Sequence, residues 1–560
     1  MEELTVAIKN IVEKQVVLGS KTQSDSERMF AALNILLNVE SQKYTFNQPI
    51  FNDSFLGFGL QPDFVSQLSN INEKQSGRKE EGRFYTPKDV VEYIVGNSFV
   101  NACDKNAAKV SDYDTCLEEL KRSEHLDNLL FHYSVYDPTC GAGEFLVSAF
   151  ETKAKLYRLS GKSNPNDYLK ILHTIYGNDI NHHSVEISKI RLFFLYCREC
   201  GTFAHLNTAA RIINDNFTAR DFVSFNVNLF QGQTNERKFK IIVGNPPYVE
   251  DSKSAATAYT KYGNIYANVL ENSAKLLTDN GVLGFIVPLS YSSTERMKKI
   301  RSLLHYYCRK QFVMSYADRP DCLFTGVHQK LNIIICSANT DKTETYTSNY
   351  NYWYKYERTN LFQKLDLTLN PFSNLPYIPK LGNILETSIF SKIFANMCDK
   401  TISSLECKKE NDSLYLNMRG CFWVKAFSYP QKSSEYKQFF FNKQLKNYIL
   451  GILNSSLFFF FWVAVSDCWH ITNKELSSFK IVLNNVDFQT FDKLVENLEN
   501  KLETTKEYVG TKQTEYVYKH KYCKSEIDAI DEQLATIYGL TNEETEYIKN
   551  YCLKYRMSDK

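Results

Sequence analysis

From residue 82 to about residue 337, short apolar runs alternate with stretches of helical periodicity, and this alternation restricts the fold more than any other feature. YSVYD is followed by FLVSAF, TIYGNDI by VEISKIRLFFLY, FKIIVGN by YANVLENSAKLL, and VLGFIVP by ERMKKIRSLL, with LNIIICSA closing the series. Strand-then-helix repetition predicts an α/β fold: a doubly wound, mostly parallel sheet with helices on both faces. Ligands in such sheets bind beyond the carboxyl ends of the strands. The residues just after each apolar run are therefore the ones to inspect.

A chain of 560 residues is too long for one ordinary domain. The polar stretch TDKTETYTSNYNYW (340–353) marks a boundary. Four segments are expected: a helical segment 1–77, the strand–helix domain 78–340, a mixed α+β domain 341–485 with a hairpin at LYLNMRGCFWVKAF, and a charged helical tail 486–560. No fixed-period repeat is present. Hydrophobic residues at 43% and charged residues at 23% leave little room for long disorder. The net charge of +2 neither announces nor excludes a polyanionic partner, because a basic cleft can be balanced by acidic faces elsewhere.

The fourteen cysteines form no disulfide-like framework. Cys197 and Cys200 are the one close pair, and no second pair completes a tetrahedral zinc site. No metal and a reducing, cytoplasmic setting are expected. MEELTVAIKNIVEK reads as an amphipathic helix start without the apolar core of a signal peptide. The run LGILNSSLFFFFWVAV (450–465) is shorter than the ~20 residues of a membrane span and carries Asn454, Ser455 and Ser456. It is expected to be a buried element, with no membrane contact.

Three motifs carry chemistry. In VYDPTCGAGEFLVSAF a strand ends at Asp137, turns at Gly141 and Gly143, and opens a helix at Glu144. The glycines let a ligand approach the backbone closely. A phosphate would seek the helix dipole here, but Asp137 and Glu144 make an acidic rim better suited to a cationic ligand. In TIYGNDI, Asp179 at the strand tip can accept hydrogen bonds from two ribose hydroxyls. Asp221 and Phe222, in ARDFVSF, would meet an adenine amino group and ring, although Asp215 of IINDNF could serve instead.

The third motif is KIIVGNPPYVE, with Asn245, Pro246, Pro247 and Tyr248. The exocyclic nitrogen of adenine is a poor nucleophile because its lone pair is delocalised into the ring. Two acceptors aimed at its N–H bonds, the Asn245 side-chain oxygen and the Pro246 carbonyl, would draw it toward a tetrahedral state. Consecutive prolines hold both acceptors in place beforehand. Tyr248 offers a face on which an extruded base can stack.

DPTCGAGEFL, GND, NPPY and the upstream GRFYTPKDVVEYIV together resemble the motifs of adenine-N6 DNA methyltransferases in the gamma arrangement, typified by the Taq enzyme. The resemblance covers about residues 78–340 strongly and the remainder loosely. It implies a Rossmann-like class I domain dependent on S-adenosylmethionine, followed by a C-terminal target-recognition domain. It implies that Thr86 and Pro87 lie against the methionine end of the cofactor, near Asp137 and Gly141, and that Asp179 and Ile180 hold its ribose and adenine; Pro138, Gly143, Asp221 and Phe222 complete the expected cofactor-binding set. Asn245 through Tyr248 would be the catalytic set, with Tyr266 near the start of the next cofactor-side helix. Phe324, in LFTGVHQKLNIII, would close the other face of the flipped base. The segment 102–132 is longer than the type enzyme leads one to expect.

Farther on, KNYILGILNSSLFFFFWVAVSD resembles a segment of such recognition domains, and KSEIDAIDEQLATIYGLTNEETEYIKNY their closing helices. The latter reads as a capped pair, with Ser525 and then Gly539–Leu540–Thr541 starting the two helices. The aromatic, lysine-bearing stretch from Tyr415 to Lys446 is a candidate DNA surface, or equally a hairpin with solvated lysines. Double-stranded DNA is the implied partner, with a separate restriction endonuclease or defence subunit as a further one. RNA-base or protein-glutamine methylation shares the NPPY set, but about 220 residues after the catalytic block favour a long polymer read by sequence. For a fused nuclease the first 75 residues are too few and hold no PD…(D/E)xK constellation, a decayed DNA-binding module would not keep Asn245 and the glycine turn, and cytosine-N4 enzymes usually carry Ser at that position.

Overall fold

The computed structural model describes residues 86–200, 205–224, 238–253, 260–338, 340, 342–373, 375–394, 399–408, 412–511 and 514–558. The expected N-terminal segment 1–77 and the first residues of GRFYTPK lie outside them.

The first of two units comprises Met1–Pro288, Arg296–Val313 and Leu323–Thr345. Its strands are β1 (Val135–Asp137), β2 (Ile175–Asp179), β3 (Phe217–Ala219), β4 (Phe239–Gly244), β5 (Leu277–Pro288), β6 (Lys310–Tyr316, whose first four residues belong to this unit) and β7 (Leu331–Ser337). They follow the order β3-β2-β1-β4-β5-β7-β6 in the sheet. β1 pairs in parallel with β2 and β4, β2 with β3, and β4 with β5. β7 runs antiparallel to β5, in register from Val282 opposite Ser337 to Pro288 opposite Leu331. The sheet is thus mixed but mostly parallel in this half. β1, β2, β4 and β7 are buried at every residue, as strands covered on both faces must be, which is why they read as largely apolar runs.

Helices α1 (Lys88–Cys103), α2 (Tyr113–Lys121), α3 (Leu126–Phe131), α4 (Glu144–Leu159), α5 (His182–Cys200) and α6 (Ile265–Lys275) belong to this unit. α1 is buried along most of its length and packs on β5 so closely that a Cβ at Gly284 would collide with Ser98 Oγ. The long segment 102–132 holds α2 and α3. Cys116 of α2 would lie 3.1 Å from a Cβ on Gly96, so α2 is seated directly on α1.

The second unit comprises Leu289–Glu295, Met314–Cys322 and Tyr346–Lys560. Here β10 (Asp412–Asn417), β11 (Ala426–Phe427) and β12 (Tyr436–Phe441) form an antiparallel sheet in the order β11-β10-β12, after the preceding pair β8 (Glu344–Asn351) and β9 (Thr368–Leu369). The β10–β11 ladder, with Tyr415 opposite Phe427, is the hairpin read from the sequence. The apolar run becomes two helices, α7 (Lys443–Asn454) and α8 (Ser456–Val465), bent by 65°. Its polar residues make the break. Ser455 accepts from Phe458 N–H at 3.0 Å, Asn454 bonds the backbone of Ala426 through both amide atoms, and the buried Asp531 accepts from Ser456 and Leu457 N–H. Among the described residues no single helix is long and apolar enough to cross a membrane. In the tail, α9 (Lys524–Tyr538) ends on Gly539 at φ 66°, and α10 (Asn542–Asn550) starts on a capping box of Thr541 and Glu544. Ser525 lies inside the first turn of α9 rather than at its cap, because a helical turn at His520–Cys523 already leads into it.

Candidate functional site

The strand order reverses between β1 and β4. In an open α/β sheet the crevice at such a switch point, beyond the carboxyl ends of the strands, is where ligands bind. Both the glycine turn and the NPPY segment leave the sheet there.

β1 ends on Asp137, which is 1% exposed and accepts from Thr139 N–H at 2.9 Å. The turn continues through Gly141 (φ 53°) and Gly143 (φ 86°), both in the left-handed region. A Cβ on Gly143 would lie 3.0 Å from Ser188 Oγ, so this glycine lets α4 begin against α5. A Cβ on Gly141 would meet nothing within 4 Å, so here the glycine leaves open space beside the backbone. Gly141 is nevertheless fixed from two sides. Its N–H donates to Asp179 Oδ2 at 2.9 Å, and its carbonyl accepts from Ser188 Oγ at 2.6 Å.

Glu144 does not contribute to an acidic rim. Arg191, itself buried, holds it with two bonds of 2.6 and 3.1 Å and also donates to the Ala142 carbonyl at 2.5 Å. The pair neutralises the glutamate and braces the turn. Asp179 accepts in addition from Asn181 N–H at 2.8 Å, and the adjacent Ile180 is 64% exposed, an apolar side chain presented at a strand tip.

Asn178 is a site residue that the sequence reading missed. Its amide nitrogen donates to the Pro138 and Arg220 carbonyls at 3.0 Å each, and its oxygen accepts from Thr218 Oγ1 at 2.7 Å and Arg220 N–H at 3.2 Å. It therefore ties the segments following β1 and β3 to β2. The available signal was an Asn inside a fully buried strand, whose polar atoms must all find partners.

β4 delivers the third motif. A Cβ at Gly244 would fall 2.8 Å from Asp137 Oδ1, so this glycine allows the two strand ends to meet. Asn245 follows, and its Nδ2 donates to Thr86 Oγ1 at 3.0 Å. Pro246 is buried and Pro247 half-buried. The Tyr248 hydroxyl donates to the Ile286 carbonyl at 3.0 Å, and its ring stands edge-on to Tyr266 at 6.5 Å. Burial holds the Tyr248 phenol well above its ordinary range, so it stays protonated. The next residue, Val249, accepts from Ile265 N–H at 2.9 Å, which binds the motif to the start of α6.

Hydrogen bonds and close contacts thus bring Thr86, Asp137, Gly141, Asp179 and Asn245 into one set. The remaining expected residues have other surroundings. Asp221 accepts from Val223 and Ser224 N–H in its own turn, while Phe222 is buried edge-on to Tyr136 at 6.1 Å. Asp215 is exposed in the last turn of a helix before β3, not at its tip. Phe324 is buried in a tight turn closed by Val327 N–H to its carbonyl at 3.0 Å, with Gly326 at φ 73°. Pro87 starts α1, and its carbonyl accepts from Val90 and Val91 N–H.

Burial pushes Asp137 well above the usual carboxylate range; the Thr139 N–H opposes this and the Asp179 carboxylate adds to it. Among the described residues no cation pairs with Asp137, and no group of three His, Cys, Asp or Glu side chains could hold a metal ion. A ligand that brings its own positive charge would oppose that shift by favouring the ionised carboxylate.

Residues 173–319 match the family of Eco57I restriction-modification methylases. The matched stretch contains Asp179 and the NPPY segment but neither Thr86 nor the glycine turn. A type II methyltransferase, M.VspI of Vibrio sp. (strain 343), is 24% identical over 249 residues, 43% of this chain and 45% of its own length. The adenine-specific methyltransferase PglX of Streptomyces coelicolor is 23% identical over 241 residues, 37% of this chain and 17% of its own. A tRNA1(Val) (adenine(37)-N6)-methyltransferase of Haemophilus influenzae is 27% identical over 133 residues, 20% of this chain and 52% of its own. The chain thus spans less than half of the first two relatives. Among solved structures, the Type IIL restriction-modification enzyme MmeI in complex with DNA superposes with a TM-score of 0.51 at 12% identity, covering 99% of this chain and 94% of that one. That likeness is one of fold.

Proposed function

We propose that the chain is a site-specific DNA methyltransferase that extrudes a target adenine and methylates its N6, as the modification part of a restriction–modification or phage-defence system in the cytoplasm. The observation that carries this reading is Asn245, held by Thr86 at the end of β4 and beside Asp137 at the switch point of the sheet. The matches to restriction-modification methylases support it.

S-adenosylmethionine supplies an electrophilic methyl group on a sulfonium. Asp137 is placed to face a positive charge, Asp179 and Ile180 to receive a ribose and a flat base, and the open side of Gly141 to let the ligand lie against the backbone. Asn245 Oδ1 and the Pro246 carbonyl would accept from the two N–H bonds of the target amine and free its lone pair to form the N–C bond as the sulfonium S–C bond breaks to a neutral thioether, and the methylated amine would then release one proton to solvent. The Tyr248 ring supports the extruded base. These groups are fixed before the substrate binds, which is the condition for electrostatic stabilisation of the transition state.

Duplex DNA incubated with the chain and S-adenosylmethionine, then sequenced with modified-base detection, should show N6-methyladenine at one sequence. The tRNA-modifying relative makes RNA the second substrate to try. Methylation of RNA and not of duplex DNA would replace this reading. Expected partners are duplex DNA and a separate nuclease or defence subunit, with no membrane and no metal.

A further inference from the structure

We propose that Thr86 is a positioning residue for Asn245, fixing where its carboxamide stands before the target amine; this rests on the adenine reading of the NPPY site. The two ends of an asparagine amide are almost the same size, so shape alone does not choose between them. The chemistry does choose. The oxygen accepts from the substrate amine, whereas the nitrogen would set donor against donor.

The structure supplies a partner that holds the group in place. Asn245 Nδ2 donates to Thr86 Oγ1 at 3.0 Å, across 159 positions of sequence. With the nitrogen committed there, the oxygen is the acceptor end of the group. Thr86 is suited to hold it. The residue is 3% exposed, its β-branched side chain has few rotamers, and the following proline restricts its backbone to an extended course. Behind it, Pro87 starts α1, and α1 is locked to β5 where Ser98 meets Gly284. Thr86 is thus anchored through a helix to the same sheet that presents Asn245.

The test compares Thr86→Val, which keeps the shape and removes the acceptor, with Thr86→Ser, which keeps the acceptor. Thr86→Val should lower the single-turnover methylation rate about ten- to a hundredfold, the range for losing the orientation of one transition-state hydrogen bond. The dissociation constant for S-adenosylmethionine, measured by calorimetry, should stay within about twofold, since cofactor affinity alone would otherwise account for the loss. Thr86→Ser should recover most of the rate. In an Asn245→Ala background, Thr86→Val should cost nothing further, because a residue that acts only through Asn245 has nothing left to act on. Unchanged rate in Thr86→Val, additive loss in the Asn245→Ala background, or a loss accounted for by weaker cofactor binding would each overturn the proposal while leaving the adenine reading in place. A wild-type chain that binds the cofactor but methylates no nucleic acid would overturn both.

Discussion

Gly141 and Gly161 offer a matched pair of substitutions that separates backbone strain from ligand exclusion. Both have positive φ, 53° and 77°, and at both an added Cβ would meet nothing within 4 Å. Alanine at either position therefore costs only the left-handed strain of an L-residue, about 1–2 kcal/mol. At roughly 2–4 °C per kcal/mol for a domain of this size, each variant should melt about 2–8 °C below the parent. A domain with about 5–15 kcal/mol of stability remains folded under that load. The two sites differ in one respect. Gly161 lies just past the end of α4, whereas Gly141 is clamped between Asp179 and Ser188 at the switch point, so its open side faces the proposed cofactor.

A methyl group placed there should weaken binding of S-adenosylmethionine by at least about tenfold, or ~1.4 kcal/mol, while Gly161→Ala leaves affinity unchanged. Calorimetry with the cofactor and with its demethylated product measures the affinities, and thermal unfolding of the same preparations measures the strain. If Gly141→Ala binds as tightly as the parent, or if Gly161→Ala loses as much, the turn is not the cradle argued for here.

Four other outcomes follow from the same geometry. Asn245→Ala should retain cofactor binding and lose nearly all methyl transfer, read from both measurements on one preparation. Tyr248→Ala should lose ~1–3 kcal/mol of stacking, and Tyr248→Phe about 1 kcal/mol, because the ring remains but the bond to the Ile286 carbonyl is gone; single-turnover rates distinguish them. Asp137 has its folded pKa raised above the unfolded 3.8, so in the ligand-free chain its stabilising contribution is present at low pH and lost as pH rises through the folded value. A cationic ligand favours the ionised form, so the thermal shift given by S-adenosylmethionine should grow with pH across that window, and Asp137→Asn should flatten the trend. Exchanging the second unit with that of a relative of different specificity, including Leu289–Glu295 and Met314–Cys322 as well as Tyr346–Lys560, should transfer the target sequence, as mapped by modified-base detection.

Burial and polarity in the parallel strands have a direct mark in sequence, and so does the hairpin at Tyr415–Phe427. A parallel strand covered on both faces is mostly apolar, which made β1 and β4 readable as runs. The apolar run read only as a buried element; that it is two helices, broken where Asn454 and Ser455 make their caps, is seen in the structure. What periodicity does not carry is which side chain meets which across a long loop of chain. Glu144 read as free charge because its partner Arg191 lies 47 residues away, on α5. Nothing local shows the bond between Thr86 and Asn245, 159 positions apart.

The unit boundaries were obscured for a related reason: a single polar stretch at 340–353 was visible, but Leu289–Glu295 and Met314–Cys322 join the second unit by contacts distant in sequence. In each case the missing information is pairwise and long-range. The residues that escaped notice, Asn178 and Arg191, are those whose task is to join strand ends and turns rather than to touch a ligand. A buried polar residue amid an apolar run is therefore a pointer to such a joint, since its unsatisfied atoms would otherwise cost ~1–3 kcal/mol each.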